Sequence, residues 1–425
     1  MGLIILFGTF GFGLICGMPV AFALGLAAVG GFVYEGLPLF IAFQRVLSGI
    51  SVFSLLAIPF FIFAGELMMH GGIAGRLVRL ASSAVGAMRG GLGVVNVASS
   101  MLFGGISGSA VADTSALGSI LIPVMKEKGY DPDYAVNVTV TSSVAGVVIP
   151  PSHNMILFAV AAGGVSVSKL FIAGVIPGIL MCLCLGIVAY AVAVRRGYPA
   201  ETFPGWKALG LSFVVALPGL MTAIIVVGGV LSGVMTVTES GAFGAIWAIL
   251  VTTFVYRELS WAGFKTAVVS SVRTTALVML LVATASAFSY LLTLYRVPEL
   301  LAGAVTGISD NPLVILLLLN LILLVLGMIM DMAALILICT PIFLPVAVGL
   351  GMDPVQFGVV MMMNLGLGLC TPPVGACLFV GCVVGGVRIE QAVKTILPFY
   401  AAILVALMLV TYVPAFSMFL PSLME

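Results

Sequence analysis

Apolar residues run through this chain in blocks of bilayer length, and polar residues are confined to short junctions between them. Blocks at 170–194, 210–234, 275–295 and 396–416 each reach the roughly 20 residues that carry an α-helix across a hydrocarbon core. The first 34 residues would form one helix of about 50 Å, too long for a core of about 30 Å, and Gly17-Met18-Pro19 offers a break that yields two short helices. Segments 50–68, 134–162, 239–256 and 355–381 complete a scheme of about ten through-going helices. Blocks 92–125 and 312–350 behave differently. Each is interrupted by Gly and Asp in its middle and ends before a Gly-x-Asp-Pro turn, so each predicts a re-entrant helical hairpin, whose non-helical tip must be buried in protein or line a wet cavity. Stretches 71–90 and 258–274 space single charges among apolar residues and predict amphipathic helices on the cytoplasmic interface, with an ordinary loop as the alternative.

The pattern occurs twice. Phe32-Val33-Tyr34 recurs 222 residues later as Phe254-Val255-Tyr256, Asp131-Pro132 as Asp353-Pro354, Pro150-Pro151 as Pro372-Pro373, and Gly163-Gly164-Val165 as Gly385-Gly386-Val387. The chain therefore reads as two repeats, 1–205 and 206–425, each with a hairpin (92–125; 312–350) and a Pro-broken helix (134–162; 355–381). Charge distinguishes parallel from inverted repeats. The turn after the first hairpin carries Lys126 and Lys128 while its counterpart carries no base, and Tyr34 is followed by Glu35 but Tyr256 by Arg257. By the positive-inside rule Lys126, Arg257, Arg195, Arg196, Lys207, Arg76, Arg79 and Arg89 face the cytoplasm, Lys169 and Arg296 lie at the outer rim, and both termini are external. The repeats are then inverted, an all-α polytopic arrangement whose broken helices mark the ion and substrate sites of secondary transporters.

Composition agrees. Hydrophobic residues are 62% of the chain and charged ones 7%, and the net charge of +1 argues against nucleic acid as a partner. The seven cysteines form no CxxC pair and read as small apolar residues rather than disulfides or metal ligands. No GxxxxGK[ST] loop occurs, so no ATPase activity of that kind is implied and the driving force is a gradient. The N-terminus lacks the basic region of a signal peptide and reads as a retained first helix.

The chemistry concentrates at the breaks. Between Gly104 and Thr114 the first hairpin tip offers Ser107, Ser109 and Asp113, opposite Ser143, Gly146 and the Pro150-Pro151 break. Proline lacks the N–H that would pair a carbonyl one turn back, so carbonyl, hydroxyl and carboxylate oxygens are left for a small hard cation such as Na⁺. Tight helix packing through small residues is the competing account of such stretches. The second half offers Gly327 and Asp331 opposite Asn364, Gly366, Gly368 and Thr371, with fewer hydroxyls and more reliance on carbonyls. Asp113 and Asp331 are ionisable at membrane depth, and each is read either as an ion-coupling group or as a cap on the helical run that follows it. Pro150, Ser152, His153 and Asn154, with Asn364 and Pro373, are the candidate substrate contacts.

The strings Phe103-Gly104-Gly105-Ile106-Ser107-Gly108-Ser109-Ala110-Val111-Ala112-Asp113-Thr114, Ile149-Pro150-Pro151-Ser152 and Gly368-Leu369-Cys370-Thr371-Pro372-Pro373-Val374-Gly375 resemble the large membrane subunit of tripartite ATP-independent periplasmic transporters, and the likeness extends over essentially the whole chain. The resemblance implies an elevator-type fold of the wider ion-transporter superfamily, with the hairpins and broken helices as transport domain and the remaining helices as scaffold. It also implies Na⁺ coupling in a bacterial inner membrane, a separate small four-helix membrane subunit, and a periplasmic substrate-binding protein. Its substrates are organic acids, sialic acid or C4-dicarboxylates among them. An intramembrane enzyme is the other class considered; with only His70 and His153, and no HExxH or GxSxG, the sequence gives it no constellation. A passive channel finds nothing resembling a selectivity filter.

Overall fold

The computed structural model describes residues 1–307, 309 and 311–424. Among the described residues the elements are helices, and the β pairing is an isolated bridge between Arg89 and Ala200. Seven of the described helices are long and apolar enough to cross a membrane, eight if the bent pair Pro132–Val148 and His153–Ala161 counts as one span. The difference from about ten arises where helices are shorter than a bilayer. Gly2–Ile15 and Val20–Tyr34 are separate, divided at Gly17-Met18-Pro19 as the sequence predicts, and Pro354–Leu369 stops at the second break.

The 222-residue offset carries helix starts onto one another: Leu39 onto Trp261, Ala110 onto Met332, Pro132 onto Pro354, and Val167 onto Ile389. Both halves contain a helix–break–helix pair, Gly91–Ser107 with Ala110–Glu127 and Pro312–Gly327 with Met332–Gly349, whose arms pack on each other. The first turns through Gly108, at φ +64°, a left-handed conformation that suits glycine. Each half then has its broken helix, and the peptide bonds Pro150–Pro151 and Pro372–Pro373 are both cis.

Two layers pack together. One gathers Gly2–Ile15, Val20–Tyr34, Leu39–Ile50, Ala57–His70 and Val237–Leu250 around the 34-residue helix Trp261–Leu294. The other is built on the broken helices, and the two halves exchange partners within it: His153–Ala161 packs on Met332–Gly349, and Ala376–Gly385 packs on Ala110–Glu127. Val167–Arg195 and Ile389–Tyr412 belong to this second layer. Gly174 and Gly178 lie against Val148 and Ile149, Tyr134 donates to the carbonyl of Ala189 at 2.8 Å, and Gln356 donates to the carbonyls of Val410 and Thr411 at 3.0 and 3.1 Å. Small residues let two buried backbones approach and side-chain hydrogen bonds hold them there, the way helices associate where lipid supplies no hydrophobic drive.

Three expectations change. Residues 258–274 are not a separate interfacial helix: from Trp261 they form the first turns of Trp261–Leu294, a helix of roughly 50 Å that overhangs a bilayer core because no proline interrupts it. Leu39–Ile50, unassigned in the sequence reading, is an amphipathic helix, the counterpart of those first turns; it is divided from Ala57–His70 at Ser51-Val52 and the turn Phe53–Leu56. The amphipathic helix expected at 71–90 is present as Ile73–Val85. The third change concerns Asp113. Helix Ala110–Glu127 begins at Ser109, whose hydroxyl accepts from Ala112 N, so Asp113 stands inside the helix and does not cap it.

Candidate functional site

The first hairpin tip meets the first break without space for side chains. Gly104 lies on the backbone of Gly146, where an added Cβ would come within 2.8 Å, and Gly105 and Gly108 face the carbonyls of Pro150 and Pro151. Asp113 reaches into this junction fully buried. Its Oδ1 accepts from the hydroxyl of Ser107, which in turn accepts from the Ser109 amide at 3.3 Å. Its Oδ2 has no hydrogen-bond partner among the described residues and points at Gly146, where a Cβ would sit 2.5 Å away. A carboxylate oxygen buried without a donor is costly. A small cation would satisfy it, and the oxygens around it (Ser107, Asp113, the break carbonyls) are hard donors suited to Na⁺. No group of three or more His, Cys, Asp or Glu side chains that could hold a metal stands together among the described residues. Ser143 is one step removed: it accepts from Thr114 at 2.8 Å and donates to the Val140 carbonyl at 2.7 Å, so its hydroxyl is already engaged.

The second half is less gathered. Gly327 and Gly368 touch backbone to backbone, matching the first junction. Gly366 packs instead on Val144 and Val147 of the other broken helix, and Thr371 donates back to the Leu367 carbonyl at 2.7 Å. Asp331 does cap its helix: it accepts from Ala333 N at 3.0 Å. It stands 222 residues after Ser109, so the two caps correspond and the two aspartates do not.

A cavity of about 570 Å³ opens between the layers at these tips. Ser107, Ser109, His153, Asn154 and Asp331 line it from the second layer, and Pro19, Glu66 and Thr274 from the first. Three helix N-termini converge on it, at Ala110, His153 and Met332. Ser109 and Asp331 cap two of them, whereas Ser152 makes no side-chain cap bond: in the first turn of His153–Ala161 the Met155 N–H returns to the Ser152 carbonyl at 3.2 Å, and those of His153 and Asn154 stay open. Helix N-termini carry partial positive charge and bare donors, a ready seat for an anion. The remaining substrate candidates stand elsewhere. Pro150 and Ser152 are buried at the junction, Pro373 is exposed away from the cavity, and Asn364 donates to the Asn320 carbonyl and Oδ1 at 2.9 and 2.8 Å, a bond that ties its helix to the second hairpin.

Glu66 was not singled out by sequence reasoning. It accepts from Ser270 at 2.7 Å and puts a carboxylate from the first layer into the cavity. Its signal was there: a carboxylate inside the apolar run 57–70.

Comparison with known proteins follows this geometry. Residues 7–416 match the family described as tripartite ATP-independent periplasmic transporter, DctM component. The chain is 39% identical to the isethionate TRAP transporter permease protein DctMQ of Oleidesulfovibrio alaskensis, over 98% of this chain and 66% of that protein. It is 38% identical to the sialic acid TRAP transporter large permease protein SiaM of Vibrio cholerae, over 98% of both. In fold it is similar to the YdaH transporter of Alcanivorax borkumensis, with a TM-score of 0.65 at 14% identity over 88% of each chain.

Proposed function

We propose, because the chain belongs to the DctM component family of the tripartite ATP-independent periplasmic transporters, that it imports a small organic anion in symport with Na⁺ by moving one of its layers against the other. That it is a multi-pass transport protein of the bacterial inner membrane follows from the family and the apolar helices. The finer reading rests above all on one observation: helix N-termini converge on a cavity beside a buried carboxylate oxygen that lacks a partner. The N-termini suit an anion, and the orphaned oxygen with its hydroxyl and carbonyl neighbours suits a coupling cation. Ser107 belongs to both, so occupation of one site bears on the other.

The moving unit comprises the hairpins, the broken helices and, beyond the boundary drawn from sequence, Val167–Arg195 and Ile389–Tyr412, whose glycines and amide bonds fasten them to the broken helices. The scaffold is the layer around Trp261–Leu294. Inversion of the repeats is supported by the helix ends: Lys126, beside the start of the first broken helix, donates to the carbonyl of Gly385, where the second one finishes. The small four-helix subunit would extend the scaffold, and the periplasmic binding protein would deliver the substrate.

Near-equal identity to an isethionate and a sialic acid transporter leaves an organic anion as the shared substrate class. Uptake into proteoliposomes, with Na⁺ or choline outside and a panel of sialic acid, C4-dicarboxylates and sulfonates offered with the cognate binding protein, tests the proposal. Uptake that persists in choline at fixed pH overturns Na⁺ coupling. Uptake without the binding protein favours a self-sufficient carrier of the same superfamily.

A further inference from the structure

A second cavity of about 560 Å³ continues the first along the same groove between the layers. On Trp261–Leu294 the first cavity is lined by residues from Thr274 to Leu281 and the second by residues from Val282 to Thr293. The same succession holds on His153–Ala161, where Asn154 lines the first and Val160 the second, and on Met332–Gly349, where Ala334 is followed by Leu337. From Thr274 to Thr293 the helix rises about 28 Å, nearly the thickness of a bilayer core. The two linings thus adjoin at Leu281 and Val282 and follow one another along the same three helices.

The second cavity carries several hydroxyls and one cation. Ser48, Ser286, Ser289 and Thr293 supply hydroxyls, and Arg45 lies over the ring of Tyr290 at 4.4 Å. Helix Leu39–Ile50 is seated firmly for this: an added Cβ on Gly49 would lie 2.5 Å from Cβ of Ser286, so the two helices cross in contact beside Arg45. Among the described residues no carboxylate pairs with Arg45; Glu35, in the loop preceding its helix, is bonded by Tyr295 at 3.0 Å. A guanidinium held over an aromatic ring keeps its N–H fork available for an oxyanion. This end of the groove lies away from Arg257 and Lys265 at the start of Trp261–Leu294, and therefore faces the periplasm by the positive-inside rule.

We infer that the Arg45 cavity is an outer capture site for the carboxylate or sulfonate group of the arriving substrate, occupied before that group passes to the helix N-termini of the first cavity. The inference rests on the reading of the protein as an importer of organic anions. The shared chemistry is an oxyanion on a guanidinium fork, and a phospholipid headgroup could offer the same group, so the test separates the two sources.

In proteoliposomes supporting Na⁺-driven uptake, Arg45→Gln should raise the half-saturating substrate concentration about tenfold with the maximal rate preserved. Arg45→Lys should recover part of the loss. The double variant Ser289→Ala/Thr293→Val, which keeps the charge, should shift it in the same direction to a smaller extent. Repeating the titrations in vesicles of phosphatidylcholine alone and with added cardiolipin distinguishes the sources. A shift equal in both lipids supports substrate capture, and one that appears only with the anionic lipid assigns Arg45 to a headgroup and overturns the inference. An unchanged half-saturation for Arg45→Gln also overturns it. Wild-type protein that fails to transport any organic anion would instead defeat the underlying functional reading.

Discussion

Asp113 presents an unpartnered oxygen directly to Gly146: the two stand on the hairpin and the broken helix, and a single methyl group at 146 would come within 2.5 Å of Oδ2. The contact makes glycine necessary at 146 for space and puts the carboxylate at the seam between the hairpin and the broken helix. Burial of that oxygen is tolerable when a cation, or a proton on the carboxyl itself, shares the junction.

Gly146→Ala and Asp113→Asn should therefore both weaken Na⁺ binding. A buried polar group left unmatched costs about 1–3 kcal/mol, which is roughly 5–150-fold in half-saturating Na⁺. Ser107→Ala should act in the same direction, whereas Ser143→Ala should act less, since its hydroxyl serves Thr114 and Val140. Sodium titrations of uptake by monodisperse protein are the check, and equal effects at 107 and 143 would speak against this geometry.

The two membrane aspartates should part company in stability. Asp331 is a helix cap, so Asp331→Ala should cost about 1 kcal/mol and lower the thermal midpoint in detergent, while Asp331→Asn, a good capping residue, should hold it. Asp113→Asn removes no cap and should leave the midpoint near wild type. Thermal unfolding of the three variants side by side decides this.

One edge of the fold is tied by Arg76, which pairs with Glu258 at 2.7 Å and lies over the Tyr256 ring at 3.8 Å. The Arg76 hydrogen bond holds the Glu258 carboxyl below its usual range. A depressed carboxylate contributes stability above its unfolded pKa and loses it as pH falls through its folded pKa. Arg76→Gln should then lower the thermal midpoint modestly at pH 7, because Glu258 is half exposed, and the gap from wild type should narrow below the carboxylate range. A gap that stays constant from pH 7 to pH 3 would assign the effect to the stacking on Tyr256 and the bond to the Gly72 carbonyl instead.

Much of this arrangement was legible in the sequence because glycine and proline act locally. The Pro150-Pro151 and Pro372-Pro373 breaks, the Gly-x-Asp-Pro turns and the Gly17-Met18-Pro19 division all fall where the backbone cannot continue a helix, and the 222-residue offset exposes them twice. What depends on packing was hidden. Asp113 and Asp331 look alike in their apolar settings, yet helix Ala110–Glu127 starts three residues before the first and Met332–Gly349 one residue after the second. Nothing near 364 announces that Asn364 will spend its amide on Asn320. Glu66 and Arg45 each acquire meaning from a partner more than 200 residues away, Ser270 and Tyr290, and sequence periodicity carries no such distance.

If the second layer slides past the first, contacts between the layers must change with state while contacts inside a layer persist. The hairpin tip provides a sharp case. Gly65, on Ala57–His70, lies so close to Ser107 that an added Cβ would be 3.3 Å from its carbonyl oxygen. Within the first layer, Gly25 stands in the same relation to Thr284, at 3.2 Å from its methyl group. Cysteines placed at Gly65 and Ser107 should crosslink only in the state where the tip is docked on Ala57–His70, and their yield should shift with Na⁺ and substrate. Cysteines at Gly25 and Thr284 should crosslink equally in every condition. Crosslink yield, rather than uptake, is the measurement, because Ser107 also belongs to the proposed ion site. A Gly65–Ser107 yield indifferent to Na⁺ and substrate would mean that the layers stay fixed, and a gate at the tip would have to replace the moving unit.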